Sequence, residues 1–338
     1  MSVITEHTEI SELVNQGLIA DATKILFEKQ KQEWPMLASG YDSLNEVKVK
    51  SFQFDGYKIK AQFNAGRIIS TSAKVDAKSI NERKCFLCEE NLPEEQKGIL
   101  FNDKYIILCN PFPIFPEHFT ITYKEHQPQR ITDTFSDMLD LSKDLSKQYI
   151  VTYNGPRCGA SAPDHLHFQA GNEYFIPMDD EFHQIKNEYG EKIYENDVLS
   201  FYAIDDGLRK FVSIESLDKE LVINTFDKFY KAYSGLMHEE QEPMMNIVCF
   251  YEEEFGWRVI IYLRRKHRPD VFFAEDESKL MLSPAVIDVS GVCVLPREED
   301  FNRITKEMIE NIFKEVFVDE TLFKNIFNVL KKIYQSAL

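Results

Sequence analysis

The sequence predicts an α+β protein in which antiparallel sheets flanked by helices are arranged as a weakly duplicated unit. Three observations predict it. Short alternating runs that read as strands are interleaved with stretches of helical periodicity. A plan of helix and strand pair recurs in the second half, where LRRKH at His267 echoes TYKEH at His126. The 338 residues exceed what one small core needs and fit two domains or one duplicated unit.

Residues 8–33 carry apolar side chains at helical spacing (Ile10, Leu13, Ile19, Ala20, Ile25, Leu26), and Trp34-Pro35 stops the pattern. SFQFDGYKIKAQFNAGR alternates about Asp55-Gly56 and reads as a β-hairpin. Residues 71–81 are polar and read as loop. KYIILCNPFPIFPEHFTITYKEH reads as two strands joined by a proline-rich turn. RITDTFSDMLDLSKDLSKQY has helical periodicity and a Thr/Asp-rich start suited to capping. A strand near Ile150 then leads through a glycine-rich turn into GASAPDHLHFQAG.

In the later half LDKELVINTFDKFYKAYSGLM is helical and NIVCFYEEEFGWRVIIYLRRKH resembles another strand pair. SPAVIDVSGVCVLPR supplies a strand where the first half has HLHFQ, without the histidines. Only the first copy therefore keeps the chemistry. The boundary falls in the polar stretch between about 175 and 215. It divides residues 1–190, a catalytic half with a helical N-terminal extension, from residues 191–338, a degenerate half.

Composition narrows the function classes. A formal net charge of -17 argues against general nucleic-acid binding, which needs a basic footprint. An anionic substrate then needs a local basic or dipolar site working against the overall field. No apolar run approaches the roughly 20 residues that span a bilayer, so no membrane partner is expected. MSVITEHTEISELVNQG lacks the basic and apolar regions of a signal peptide, which makes the cytoplasm the expected compartment. There the six cysteines are free, buried or metal-bound rather than paired.

The chemistry concentrates in HLHFQ. On a strand, His165, His167 and Gln169 share one face while Leu166, Phe168 and Ala170 share the other. A histidine can attack phosphorus and hold a nucleotidyl group covalently, provided one ring nitrogen is unprotonated and the other is fixed by a hydrogen bond. The upstream YNGPRCGAS offers backbone N–H groups around Gly155 and Gly159, with Asn154 and Ser161 beside them. Gln169 can hydrogen-bond a phosphate oxygen but cannot act as a general acid. The plain alternative for two histidines on a strand is an incidental polar face; the glutamine and the small-residue turn weigh against it. CFLC supplies Cys85 and Cys88 at zinc-knuckle spacing, a pair that also fits a redox motif or mere burial. Cys109, Cys158, Cys249 and Cys293 are isolated and read as packing, and His118 reads as structural.

HLHFQ resembles the H-x-H-x-Q signature of the galactose-1-phosphate uridylyltransferase-like branch of the histidine-triad superfamily. NGPRCGASAPD resembles the turn of diadenosine tetraphosphate phosphorylases. QFNAGR and SPAVIDVSGVCVLPREEDF are similar to segments of plant-type GDP-hexose phosphorylases. The resemblance implies tandem HIT-like units, with His167 as nucleophile, Gln169 on the transferred phosphate, and Asn154 and Ser161 in the phosphate pocket. It implies a nucleotidyltransferase or phosphorylase with a nucleoside-monophosphate–histidine intermediate. Its partners would be a nucleotide sugar or dinucleoside polyphosphate, and inorganic phosphate or a sugar phosphate. A diadenosine polyphosphate phosphorylase is the alternative within the class, and a non-catalytic nucleotide-binding protein the alternative outside it. The resemblance also implies a structural zinc on Cys85, Cys88, His126 and His165, leaving His165 as a brace. Arg67, after Asn64-Ala65-Gly66, would face the nucleotide, or be a solvated arginine. Arg264 opens the only dense basic cluster, Arg264 to Arg268, which is either a solvated strand end or a phosphate contact. A homodimer is a further expectation.

Overall fold

The computed structural model describes residues 3–73, 75–237 and 241–335. Its main feature is a ten-stranded sheet contributed equally by the two halves. The first half supplies β3 (Gly98–Phe101), β4 (Tyr105–Cys109), β5 (His118–Tyr123), β6 (Tyr149–Asn154) and β7 (His167–Asn172). The hairpin of β1 (Lys48–Gln53) and β2 (Lys58–Phe63) precedes them, paired antiparallel about the Asp55-Gly56 turn. The second half supplies β8 (Gly190–Glu195), β9 (Ser200–Asp205), β10 (Lys210–Ser216), β11 (Met245–Glu252) and β12 (Gly256–Leu263). The strand order is β3-β4-β5-β7-β6-β11-β12-β10-β9-β8. Read inward from either edge, it is the same arrangement: three strands in sequence, then the fifth, then the fourth. In each half a helix, Phe135–Asp144 or Lys219–Met237, carries the chain from the third strand to the fourth. The two units meet where β6 pairs antiparallel with β11, Asn154 opposite Asn246.

The α+β duplication is therefore present, but in a different register from the one the motifs suggest. TYKEH follows β5, whereas LRRKH follows β12, the counterpart of β7. The second unit's first three strands occupy residues 190–216, inside the stretch whose polarity reads as a boundary. SPAVIDVSGVCVLPR does not take the place of HLHFQ. It forms a short helix, Val286–Val289, and β13 (Val292–Leu295), which pairs parallel with β2 in a separate three-stranded sheet. The periodic run at 8–33 is two helices, Thr8–Asn15 and Ile19–Glu33, parted near Gly17 at φ +75°. Pro35 opens a third helix, Pro35–Asp42, at a position where its missing N–H costs nothing. The polar 71–81 stretch starts a helix, Ala77–Glu82, capped by the Asp76 carboxylate on the Ser79 N–H.

Each sheet face has its own core. On one, Leu166, just before β7, Phe168 and Ala170 of β7 and Val259 and Ile261 of β12 pack with Met138, Leu139, Phe226 and Phe229 of the linking helices. On the other, Ile260 and Tyr262 of β12 join a core with Phe182 and Ile185 of the helix Pro177–Tyr189 and Val286 and Val289. Burial of such side chains stabilises by about 1.5–3 kcal/mol each. On that second face β7 lines a cleft, together with Leu108 and Cys109 of β4 and Thr120 of β5. No described helix is long and apolar enough to cross a membrane.

Candidate active site and metal centre

β7 begins at His167, and alternation turns His167 and Gln169 away from the apolar core beneath Phe168. The His167 ring is 4% exposed, and its Nδ1 lies 2.8 Å from the His165 carbonyl oxygen. A carbonyl only accepts, so Nδ1 carries the proton and Nε2 keeps its lone pair. Burial pushes the imidazole down to about 4, against the pull of that carbonyl, so the ring is neutral at physiological pH.

His167 and Gln169 line a cleft of about 650 Å3, together with Arg67, Ser161 and the aromatic side chains of Phe86 and Phe112. Arg67, Ser161 and Gln169 are shared with an adjoining narrow pocket that Asn154, Gly159, His267 and Arg268 also line. The Asn154 Oδ1 accepts from the Asn246 side chain and the Val286 N–H, both at 2.8 Å, which aligns its amide group at the pocket wall. Gly159 sits at φ +99°, and a Cβ there would come within 2.6 Å of the Ala285 Cβ, so only glycine fits. The Arg67 guanidinium donates to the Phe112 carbonyl at 2.6 Å and stands at the joint of the two cavities.

Two expected contacts lie elsewhere. Arg264 is fully buried, and its guanidinium donates to Asn246 Oδ1 and to the carbonyls of Pro284, Lys266, His267 and Val316. It ties the end of β12 to the 284 loop and lines neither cavity. His267 and Arg268, from the same basic run, do. Gly155 packs its N–H on the Met245 carbonyl at 3.1 Å; a Cβ there would meet that oxygen at 2.7 Å, so it serves strand approach rather than phosphate. One residue that motif reading passes over is Gln129. It is buried, and its amide bonds to the backbone of both His167 and Asn154. A lone glutamine in a loop carries no pattern that would reveal it.

Beside the cleft, Cys85, Cys88, His126 and His165 bring their ligand atoms within 4.8 Å of one another. The His165 Nδ1 lies 3.3 Å from the Cys85 Sγ, and the His126 Nδ1 3.2 Å from the Cys88 Sγ. The His165 Nε2 donates to the Tyr123 carbonyl at 2.7 Å, which turns the Nδ1 lone pair toward the thiols. Burial raises the Cys85 thiol, but His165, the Leu87 backbone and Cys88 together bring it down to about 6. Two sulfurs and two oriented imidazole nitrogens are a donor set that suits zinc. Both His165 ring nitrogens are engaged, and His165 lines neither cavity. Its carbonyl, however, is the group that fixes His167.

A protein-family model described as a domain of unknown function (DUF4922) matches residues 26–172, and one described as GDPGP1-like, C-terminal domain, matches residues 219–337. Galactose-1-phosphate uridylyltransferase of Clostridium acetobutylicum is 26% identical over 290 residues, 74% of this chain and 55% of that protein. Diadenosine 5',5'''-P1,P4-tetraphosphate phosphorylase 2 of Saccharomyces cerevisiae is 36% identical over 92 residues, 23% of this chain and 28% of that protein. The chain thus spans about half or less of the length of these curated relatives. The crystal structure of yeast Ap4A phosphorylase Apa2 in complex with Ap4A shares the fold, with a TM-score of 0.56 at 15% identity over 86% of this chain and 97% of that one. With the H-x-H-x-Q strand and the duplicated strand order, these likenesses support the resemblance of the chain to the galactose-1-phosphate uridylyltransferase-like branch of the histidine-triad superfamily.

Proposed function

We propose that the chain is a nucleotidyltransferase of the phosphorylase type, working through a nucleoside monophosphate held on His167. The observation that carries this reading is the His167 ring, neutral, with Nδ1 tied to the His165 carbonyl and Nε2 free in a cleft shared with Gln169, Arg67 and Ser161. Nε2 attacks the α-phosphorus of a nucleoside diphosphate-hexose; the P–N bond forms as the bond to the leaving hexose 1-phosphate breaks. Inorganic phosphate, or a sugar 1-phosphate, then attacks the same phosphorus, and the electron pair returns to Nε2. Gln169 and Ser161 donate to the non-bridging oxygens as charge builds, and Arg67 offsets it. Asn154 and Gly159 form the wall where the leaving or incoming phosphate sits, with Arg268 beyond them.

The catalytic half is residues 1–190, and residues 191–338 are a degenerate copy that closes the phosphate end. Zinc on Cys85, Cys88, His126 and His165 would be structural, holding the His165 carbonyl where His167 needs it. Six free thiols suit the reducing cytoplasm. Diadenosine polyphosphate phosphorolysis is the second reading, favoured by the NGPRCGAS turn lining the narrow pocket and by the 92-residue relative.

Phosphate-dependent turnover of a panel of nucleotide sugars and diadenosine tetraphosphate tests both. Release of a hexose 1-phosphate and a nucleoside diphosphate supports the first reading; ADP and ATP from diadenosine tetraphosphate support the second. Binding of nucleotides without turnover of any donor would leave a non-catalytic binding protein.

A further inference from the structure

Where the nucleophile strand begins, the sheet is interrupted by a side chain. The β6–β7 ladder runs from Tyr149 opposite Asn172 to Thr152 opposite Gln169 and stops there. Carried two residues further, the same register would set Asn154 opposite His167. Instead the Gln129 carboxamide lies between them. Its Oε1 accepts the His167 N–H at 2.8 Å, while its Nε2 donates to the carbonyls of His167 at 3.0 Å and Asn154 at 2.9 Å. Gln129 thus replaces the missing rung with a wedge about the width of a peptide. All three bonds are buried, and Gln129 is 3% exposed.

The wedge is itself held. The Gln129 N–H donates to the Pro163 carbonyl at 3.1 Å, and the Gln127 carbonyl accepts the Leu166 N–H at 2.7 Å. Two residues on, the Ile131 N–H donates to the buried Glu242 carboxylate at 2.7 Å, as does the Tyr153 hydroxyl. The 127–131 segment therefore clasps the start of β7, the end of β6 and a residue of the second half.

We propose that Gln129 is a positioning residue that sets His167 against the phosphate wall at Asn154. It holds the backbone that the His165 carbonyl and the His167 ring both depend on, and it keeps β6 and β7 splayed so that Nε2 reaches the cleft. The inference rests on His167 being the nucleophile, so one readout is chosen that does not.

Gln129→Met keeps the volume and removes all three bonds. Gln129→Glu keeps the acceptor for the His167 N–H but loses both donors. In 15N-histidine-labelled protein, with the His167 signals identified by their loss in His167→Asn, wild type shows the Nδ1–H tautomer. In folded Gln129→Met, checked by its melting transition, His167 shows a mixture of tautomers. The single-turnover rate of adduct formation falls about 100-fold, the scale of a misplacement near 1 Å, while donor KM changes little. Gln129→Glu falls between, and is read the same way if Gln129→Met does not fold. An unchanged tautomer and rate, or a loss confined to KM, overturns the proposal. If wild type forms no adduct with any donor, the nucleophile reading fails, and the tautomer alone decides: a mixture upholds the wedge and an unchanged tautomer overturns it.

Discussion

β7 and β12 occupy the same place in the two repeats, yet one faces a cleft and the other a core. Toward the first core they are alike: Phe168 and Ala170 on β7 and Val259 and Ile261 on β12 bury against the linking helices. Toward the other face they part. β7 presents His167 and Gln169 to a cavity. β12 presents Ile260 and Tyr262 to the helix Pro177–Tyr189 and the Val286–Val289 turn, with Arg258 stacked on Phe182 at 4.4 Å. Duplication thus supplied two equivalent surfaces. One carries no histidine and is the place where the chain packs its remaining elements. The other lines a cleft with a polar face, at the cost of burying an imidazole that needs its own hydrogen bond.

The comparison can be broken at several points. His167→Asn removes the imidazole, for which β12 has no counterpart; phosphorolytic turnover should fall by about four orders of magnitude or more, with the melting temperature nearly unchanged. Retained turnover would dissolve the distinction between the halves. Gln169→Ala removes a donor to the developing charge and should cost about 100-fold in kcat, measured at saturating donor. Cys85→Ser tests the brace. Zinc, measured on purified protein, should fall from about one per chain to a small fraction, with about a 10-fold loss of turnover as the His165 carbonyl shifts. Arg264→Met sharpens the other side of the comparison. It should lower stability by about 2–4 kcal/mol, read by denaturant unfolding, because several buried acceptors lose their donor, while donor KM stays within error.

The sequence makes HLHFQ, CFLC and the Asp55-Gly56 hairpin legible because each is written in adjacent residues. The Cys85–Cys88 pair is local, but His126 and His165 join it only through the family resemblance, and the structure brings the four together. The repeat is harder to read. β8, GEKIYE at the sheet edge, carries Glu191, Lys192 and Glu195, and β9 and β10 meet at a turn with Asp205, Asp206, Arg209 and Lys210, so the stretch resembles a linker. Without those strands, the next strand pair in the chain falls against the wrong pair of the first unit, and SPAVIDVSGVCVLPR takes the apparent place of HLHFQ. Arg264 illustrates a different limit. Composition marks a basic cluster, but which arginine turns inward depends on carbonyls from residues 284 and 316, far away in the chain. Gln129 depends on a gap in a sheet ladder, which no local pattern encodes.

The central claim concerns one atom, the Nε2 of His167. Intact-protein mass spectrometry after incubation with each nucleotide sugar and with diadenosine tetraphosphate, without acceptor phosphate, tests it most directly. The account predicts an acid-labile mass increase of one nucleoside monophosphate with at least one donor, discharged by phosphate and absent in His167→Asn. An adduct that persists in His167→Asn, or none with any donor, would contradict it.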